Sequence, residues 1–436
     1  MDFKLNKNAL INALKYTPVA AQTYSKSYRY FSDTQIPLFI ERGQGSKLID
    51  VDHNELTDFV CGLGSITLGY NVKQVNNVIK DQLDKGIVFS TQSTLELKYA
   101  KLLSQHIPGC EMVRFLKNGS DATSAAVRLA RAFTGKDIIL MSGYHGMDDW
   151  CVGSTMNHNG VPNAVRELTK TFEYNNFDDI TNKVKQYAHN LAAIILEPIQ
   201  ANGPKEGYLA HLRKIAFEHK IMLIFDEVVS GFRYAIGGAS ELYGIVPDLA
   251  AFGKGIANGM PLSVVCGKKD ILELISKDVF ISSTFGGEAL SLASAITVLE
   301  YYKENQVIAH FWSIGSLMQE GLRKLIQKHE LESSVKLYGL PPRNGIIFQD
   351  TDNYDSLELQ TLFVSLMIEK GYLTLGVNNF MHNHSSQDVQ GFLDAADSVF
   401  EMIGNGIKGE PIVDTQVSGK INPIFSRNTP LKDERN

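Results

Sequence analysis

Residues 221–233 read IMLIFDEVVSGFR, and what decides the fold is how a run of five apolar residues stops dead at two acids. An amphipathic segment at 209–219 leads into the run. A short, continuously apolar strand entered from a helix predicts a strand buried on both faces. The same grammar extends from about residue 94 to residue 267. VRFL (113–116) precedes a helix-like run at 122–133, IILM (138–141) follows, and AAIIL (192–196) ends in Glu197-Pro198. The fold class is therefore α/β, with a mostly parallel sheet covered by helices. Ligands of such sheets sit beyond the carboxyl ends of the strands. Glu197 and Asp226 each follow a strand directly, so both are expected on that edge.

Further along, DLAAFGKGIANGMPLSVVCG (248–267) holds Lys254 between Gly253 and Gly255, with no other cation in the stretch. A surface lysine on a glycine turn is one reading. The other is an amine kept neutral part of the time because it forms a covalent bond; desolvated lysines are the usual Schiff-base formers. The spacing does not make a P-loop, which needs GxxxxGK followed by Ser or Thr. GKGIANG also misses the dinucleotide fingerprint, because its third glycine comes one residue late.

Upstream, NGSDATSAAVRLAR (118–131) joins a strand to a helix through Gly119 and Ser120. Free N–H groups at a helix start, with a serine hydroxyl beside them, form a phosphate-cradle candidate; an N-capped helix without a ligand is the plainer reading. Tyr144-His145-Gly146 follows another strand, where an aromatic ring can stack on a flat ligand or simply pack in a loop. Asp226 can cap or pair locally, or can keep a ring nitrogen protonated. Anion, ring face, ring nitrogen and aldehyde are the four needs of pyridoxal phosphate.

The whole chain of 436 residues is 44% hydrophobic and 21% charged, with a net charge of −6 and no long block of like charge. These values fit a globular protein and point away from nucleic acid and anionic membranes. The start, MDFKLNKNALINALKY, lacks the roughly 7–15-residue apolar core of a signal peptide. Cys61, Cys110, Cys151 and Cys266 have no CxxC spacing, so four free thiols in a cytoplasmic protein are expected. His382 and His384 form an isolated HxH in MHNHS, and no metal is expected. Arg343, Asn378 and Asn379 are remote candidates for substrate contacts.

Taken together, FDEVVSGFR (225–233) and PDLAAFGKGIANGMP (247–261) resemble the signature of class III pyridoxal-phosphate aminotransferases. PLFIERGQGSKLIDVDHNELTDFV, NGSDATSAAVRLARAFTGKD, GYHGMDDW and LEPIQANG are similar to the glutamate-1-semialdehyde 2,1-aminomutase branch, and the likeness covers about residues 25–403. The resemblance implies a fold-type I architecture: a large domain with a mostly parallel sheet, plus a smaller α+β domain. Residues 1–60 are expected to contribute to the small domain, 61–310 to form the large one, and 311–436 to form the C-terminal small domain, with an irregular tail from about 404. It implies a homodimer with shared active sites. Lys254 corresponds to the lysine that carries the cofactor and shuttles the proton, and Asp226 to the partner of the ring nitrogen. Val228 and Tyr144 correspond to the two ring faces, Gly119 and Ser120 to the phosphate contacts, and Asn202 to the partner of the phenolic oxygen. Thr284 corresponds to a phosphate contact from the other subunit, and Arg29, Glu197 and His145 to substrate contacts.

Two departures bear on substrate. The segment 144–162 is shorter than the glycine-rich closing segment of the aminomutase, which must retain its intermediate. A shorter lid favours release and ordinary transamination, with glutamate as the expected donor. STFGGEAL (283–290) resembles branch members acting on sugars for surface polysaccharides, such as the transaminase forming 8-amino-3,8-dideoxy-octulosonate in lipopolysaccharide synthesis. A true aminomutase and a silent scaffold on the same fold are the alternatives.

Overall fold

The computed structural model describes residues 1–30 and 38–410, which divide into two units: 1–30, 38–72 and 309–410 form one, and 73–308 the other. The smaller unit begins with a helix, Lys4–Ala13, and a meander of β1 (Ile40–Gln44), β2 (Lys47–Asp50) and β3 (Glu55–Asp58). The pairings β1–β2 and β2–β3 are antiparallel, as the turn signals at 43–45 and 52–54 predict. The expected boundary at 60/61 falls instead at 72/73. The reason is local: Tyr70 exchanges both backbone hydrogen bonds with Gly45, and its hydroxyl donates to buried Asp58 at 2.5 Å.

The larger unit is built on seven strands: β4 (Met112–Leu116), β5 (Ile138–Ser142), β6 (Thr169–Thr171), β7 (Leu191–Leu196), β8 (Met222–Asp226), β9 (Leu249–Phe252) and β10 (Ser263–Gly267). Their order across the sheet is β4-β10-β9-β8-β7-β5-β6. From β9 to β6 every pairing is parallel, while β10 runs antiparallel to both β9 and β4. All six residues of β7 are buried. Ala193 and Ile195 pack on the side of helix Gly119–Thr134, whereas Ile194 and Leu196 join Leu212 and Ile180 from the helices on the opposite face. Two covered faces explain why the strand reads as an unbroken apolar run. Truncating Ile195 to alanine here costs about 2–5 kcal/mol, a large part of any domain's net stability.

The chain then returns to the smaller unit through β11 (Val335–Leu340), β12 (Arg343–Phe348), β13 (Tyr372–Leu373) and β14 (Val377–Asn379). β11, β12 and β14 form an antiparallel sheet, and β13 adds in parallel to β3. The last helix runs from Ser386 to Ile407, past the expected stop near residue 403. Gly404 and Gly406 are buried, and packing outweighs a helix-propensity cost of about 1 kcal/mol per glycine. The remainder of the expected tail lies outside the described residues.

Candidate active site

The carboxyl edge of the sheet is where the larger unit concentrates its polar groups. Helix Gly119–Thr134 starts immediately beyond β4, with Asn118 in an extended conformation as its cap. Asp121 turns back and accepts the N–H of Asn118 at 2.8 Å and of Lys117 at 3.2 Å. That bond draws the chain into a tight first turn, in which the N–H of Asp121 reaches the carbonyl of Asn118 at 3.1 Å and the N–H groups of Gly119 and Ser120 precede the first intrahelical bond. Gly135 closes the other end at φ +65, its N–H on the carbonyl of Arg131.

Glycine at two positions is a matter of space. A Cβ on Gly119 would stand 3.0 Å from a methyl of Val228, and one on Gly146 would stand 2.4 Å from Ser120 Oγ. Gly253 faces the same Val228 methyl at 3.4 Å. Val228 thus meets both the cradle glycine and the lysine turn. Ser263 ties them further, donating its hydroxyl to the carbonyl of Asn118 at 2.7 Å. Lys254 opens a short 3-10 turn, Lys254–Ala257, with φ +44, a left-handed backbone that non-glycine residues adopt mainly where surrounding structure imposes it. Its turn is packed through Ile256 and Ala257, both fully buried, and the Ser294 hydroxyl holds the carbonyl of Ala257.

Two acids near the strand ends serve different ends. Asp248, 1% exposed, is answered by two cations, Arg213 Nη1 at 2.8 Å and Lys268 Nζ at 2.5 Å, and by the N–H of Leu223. Burial alone would raise its pKa, but the Leu223 N–H, Lys268 and Arg213 bonds prevail and lower it. That is a structural clamp between β8 and β9. Asp226, 4% exposed, is held by His145 Nδ1 at 2.7 Å and by the N–H of Val228 at 3.1 Å. Next to it, Glu227 is fully buried and accepts the N–H groups of Ala239 and Ser240 and the hydroxyls of Ser230 and Ser240. Burial pushes its carboxyl up to about 7 against these bonds.

His145, expected among the substrate contacts, is instead 2% exposed. Its ring lies behind Asp226, stacked on Trp150 with centroids 6.2 Å apart. The carbonyl of His145 accepts the hydroxyl of Thr123 at 2.6 Å, so the cradle helix also fixes this loop. His145 Nε2 is buried without a hydrogen-bond partner. Tyr144 is 37% exposed, and its N–H donates to Glu197 Oε1 at 3.0 Å. A Cβ on Gly143 would fall 2.8 Å from the same oxygen. Glu197 therefore aims the tyrosine through its backbone.

Gly119, Ser120, Tyr144, His145, Glu197, Asp226, Val228 and Lys254 thus form one linked set of neighbours. Asn202 lies on the turn after β7; Asn175 secures that turn by bonding the carbonyl of Gly203 at 2.9 Å and the N–H of Lys205 at 2.8 Å. Thr284 sits on an exposed stretch at 282–285. Arg29 belongs to the smaller unit, in the turn Tyr28–Tyr30, with Nε 3.4 Å from the Tyr28 hydroxyl. His384, also there, stacks on Phe59, and among the described residues no three acidic, histidine or cysteine side chains converge as metal ligands. Sequence reasoning missed Ser263, Thr123, Trp150 and Asn175. Only Ser263, a polar residue opening an apolar strand, carried a visible signal.

Comparison with known proteins gives the family and the fold. The family described as aminotransferase class-III matches residues 30–377. The chain is 34% identical over 345 residues to a 3-aminobutyryl-CoA aminotransferase of Cloacimonas acidaminovorans, covering 78% of this chain and 82% of that protein. It is 34% identical over 395 residues to a glutamate-1-semialdehyde 2,1-aminomutase of Persephonella marina, covering 84% of this chain and 92% of the relative. Among solved structures, the FumI protein of Sphingopyxis sp. MTA144, in a PLP-bound form, superposes with a TM-score of 0.86 at 25% identity, covering 93% of this chain and 98% of that one. The fold is that of the fold-type I transaminases.

Proposed function

The chain belongs to the class-III aminotransferases, and we propose that it moves an amino group from glutamate to an oxo-sugar or oxo-acid acceptor with pyridoxal phosphate as cofactor. One observation carries the cofactor reading: a buried carboxylate, Asp226, is held by a histidine, beside the close approach of Gly119 and Gly253 to Val228. When bound, pyridoxal phosphate supplies an aldehyde for the amino group and a ring that takes up electrons. Lys254 Nζ holds the cofactor and moves the proton at the donor's α carbon. Asp226 keeps the ring nitrogen protonated, with Val228 and Tyr144 against the ring faces. The first turn at Gly119 and Ser120 receives the phosphate, and Asn202 the phenolic oxygen. Arg29 binds the donor carboxylate and Glu197 lies beside the substrate. The protein works as a cytoplasmic homodimer in which Thr284 reaches the phosphate of the other subunit.

The short 144–162 segment favours release and ordinary transamination, and STFGGEAL favours as acceptor a sugar of surface-polysaccharide synthesis such as the precursor of 8-amino-3,8-dideoxy-octulosonate. The aminomutase reading draws on the likeness to aminomutases at 34% identity. Glutamate alone decides between them. A transaminase loses the visible absorbance of its lysine-bound cofactor and yields one 2-oxoglutarate per site. Brisk conversion of glutamate-1-semialdehyde to 5-aminolevulinate without a second substrate would overturn the transaminase reading. Acceptor screening should pair oxo-sugars with 3-oxobutyryl-CoA, the keto counterpart of 3-aminobutyryl-CoA.

A further inference from the structure

The stretch that carries Thr284 is a projecting tip with two secured feet. Residues 282–285 are all exposed, including Phe285 at 58%, while Ile281 and Gly286 on either side are buried. Two successive turns shape the tip, Gly286 N–H to the carbonyl of Ser283 and Glu288 N–H to that of Phe285, both at 3.2 Å. The far foot has no slack. A Cβ on Gly286 would stand 2.6 Å from the carbonyl oxygen of Phe115, and Glu288 is paired with Lys117 Nζ at 3.0 Å.

The near foot is held by two arginines acting on successive carbonyls. Arg114 Nη2 donates to the oxygen of Ile281 and Arg128 Nη1 to that of Phe280, each at 2.7 Å. Arg114 lies on β4 and Arg128 on helix Gly119–Thr134, the two elements that meet at the phosphate cradle. Charged donors on backbone carbonyls make short, directional bonds, and a guanidinium sets their geometry more firmly than an ammonium.

We propose that Arg114 and Arg128 are positioning residues for cofactor binding: by holding the carbonyls of Ile281 and Phe280 they set the height of the 282–285 tip, and so the reach of Thr284 to the phosphate of the other subunit. The proposal rests on the assignment of Thr284 made above. A tip let go at its near foot still carries the threonine hydroxyl but presents it over a range of positions. The loss then appears in cofactor retention rather than in the proton transfer at Lys254.

The test uses full-length protein loaded with pyridoxal phosphate, moved into cofactor-free buffer and followed by decay of its visible absorbance. Losing one charge-assisted hydrogen bond should speed decay about tenfold in Arg114→Lys and a few-fold in Arg128→Ala. Thr284→Ala should leak at least as fast as Arg114→Lys, and the double variant no faster than Thr284→Ala alone. Saturating cofactor should restore turnover in both arginine variants. Retention like wild type in both arginine variants, beside a leaking Thr284→Ala, overturns the proposal and spares the reading of Thr284. So does a double variant that leaks by the product of the single effects. Wild-type retention in Thr284→Ala overturns that reading, and the proposal with it. A fall in apoprotein melting temperature large enough to account for the leak makes the arginines merely structural and also overturns it.

Discussion

The carboxyl edge of the seven-stranded sheet and the tip at 282–285 are fixed in opposite ways. At the edge, Asp226, Glu227 and His145 are all at most 4% exposed, and each polar group is placed by strands packed on both faces. At the tip nothing is buried, and order comes from a few bonds at its feet. A site assembled from both pairs a rigid half with a half that is only as precise as its anchors. In the proposed function, chemistry at the reacting carbon falls to the first half and retention of the bound molecule to the second.

Removing the amine of Lys254 tests the rigid half most severely. Lys254→Ala should lower turnover by several orders of magnitude, because nucleophile and proton carrier vanish together, while thermal melting still reports a folded protein. Borohydride labelling and peptide mapping should find the cofactor on Lys254, and a label on another lysine would sink the assignment. Asp226→Asn comes next. Loss of the buried charge should reduce turnover by about 10²- to 10³-fold with retention much less affected, read from single-turnover rates with glutamate.

For the tip the expected effect is smaller and of another kind. Thr284→Ala should speed cofactor loss about tenfold, at little cost to the saturated rate. In mixed dimers of Thr284→Ala and Lys254→Ala chains, one site should carry both lesions and the other neither. Half the wild-type activity per dimer, decaying at the wild-type rate in cofactor-free buffer, is the expected result; decay at the faster Thr284→Ala rate would place Thr284 in its own subunit's site and dissolve the contrast.

The gentlest probe is pH, and the two halves should answer with opposite sign. Burial raises the Glu227 carboxyl from an ordinary 4.5 to about 7, so the folded state holds a proton that the unfolded state has lost. Its contribution is fully present below pH 4.5 and declines as pH rises to about 7. Burial also acts on Glu288, but the Ser291 and Lys117 bonds outweigh it and lower its pKa, so its contribution is present above the ordinary carboxylate value and lost as pH falls below it. Relative to wild type, Glu227→Gln should therefore gain stability as pH rises from 5 to 8. Glu288→Gln should lose least in acid. Melting temperatures should move by about 2–4 °C per kcal/mol, and slopes of the same sign would refute the pairing.

Much of the rigid half was legible because a strand end announces itself: a continuous apolar run that stops at Glu197 or Asp226 gives both the sheet and its functional edge. The glycines at 119 and 253 were legible for a related reason, since small residues flanking polar ones mark space. The burial of His145 was not legible because nothing local tells whether a residue after a strand turns outward or back beneath the sheet; it is held by Trp150 and Thr123, each on a different helix. The anchors of the tip were invisible for the same cause. Arg114 and Arg128 lie 167 and 152 residues from the carbonyls they hold, and no periodicity reports on such pairs. The last helix outran its glycines because burial, unlike propensity, depends on what lies across from it.

β10, the strand that runs against its neighbours, also governs which parts of this chain can change length. It returns directly from the turn of Lys254 and is registered residue by residue between β9 and β4. Its side chains alternate with a period of two, so a single inserted residue before Ser263 that the turn failed to absorb would face every one of them the wrong way. The turn has little room to absorb it, with Ile256, Ala257 and Leu262 all packed inside. The stretch from 143 to 168 joins β5 to its parallel neighbour β6 mostly through coil and two four-residue helices. Length changes should cost least at its more exposed part, residues 156–160, and that is the place to graft a longer closing loop if the same lysine is to serve a different substrate.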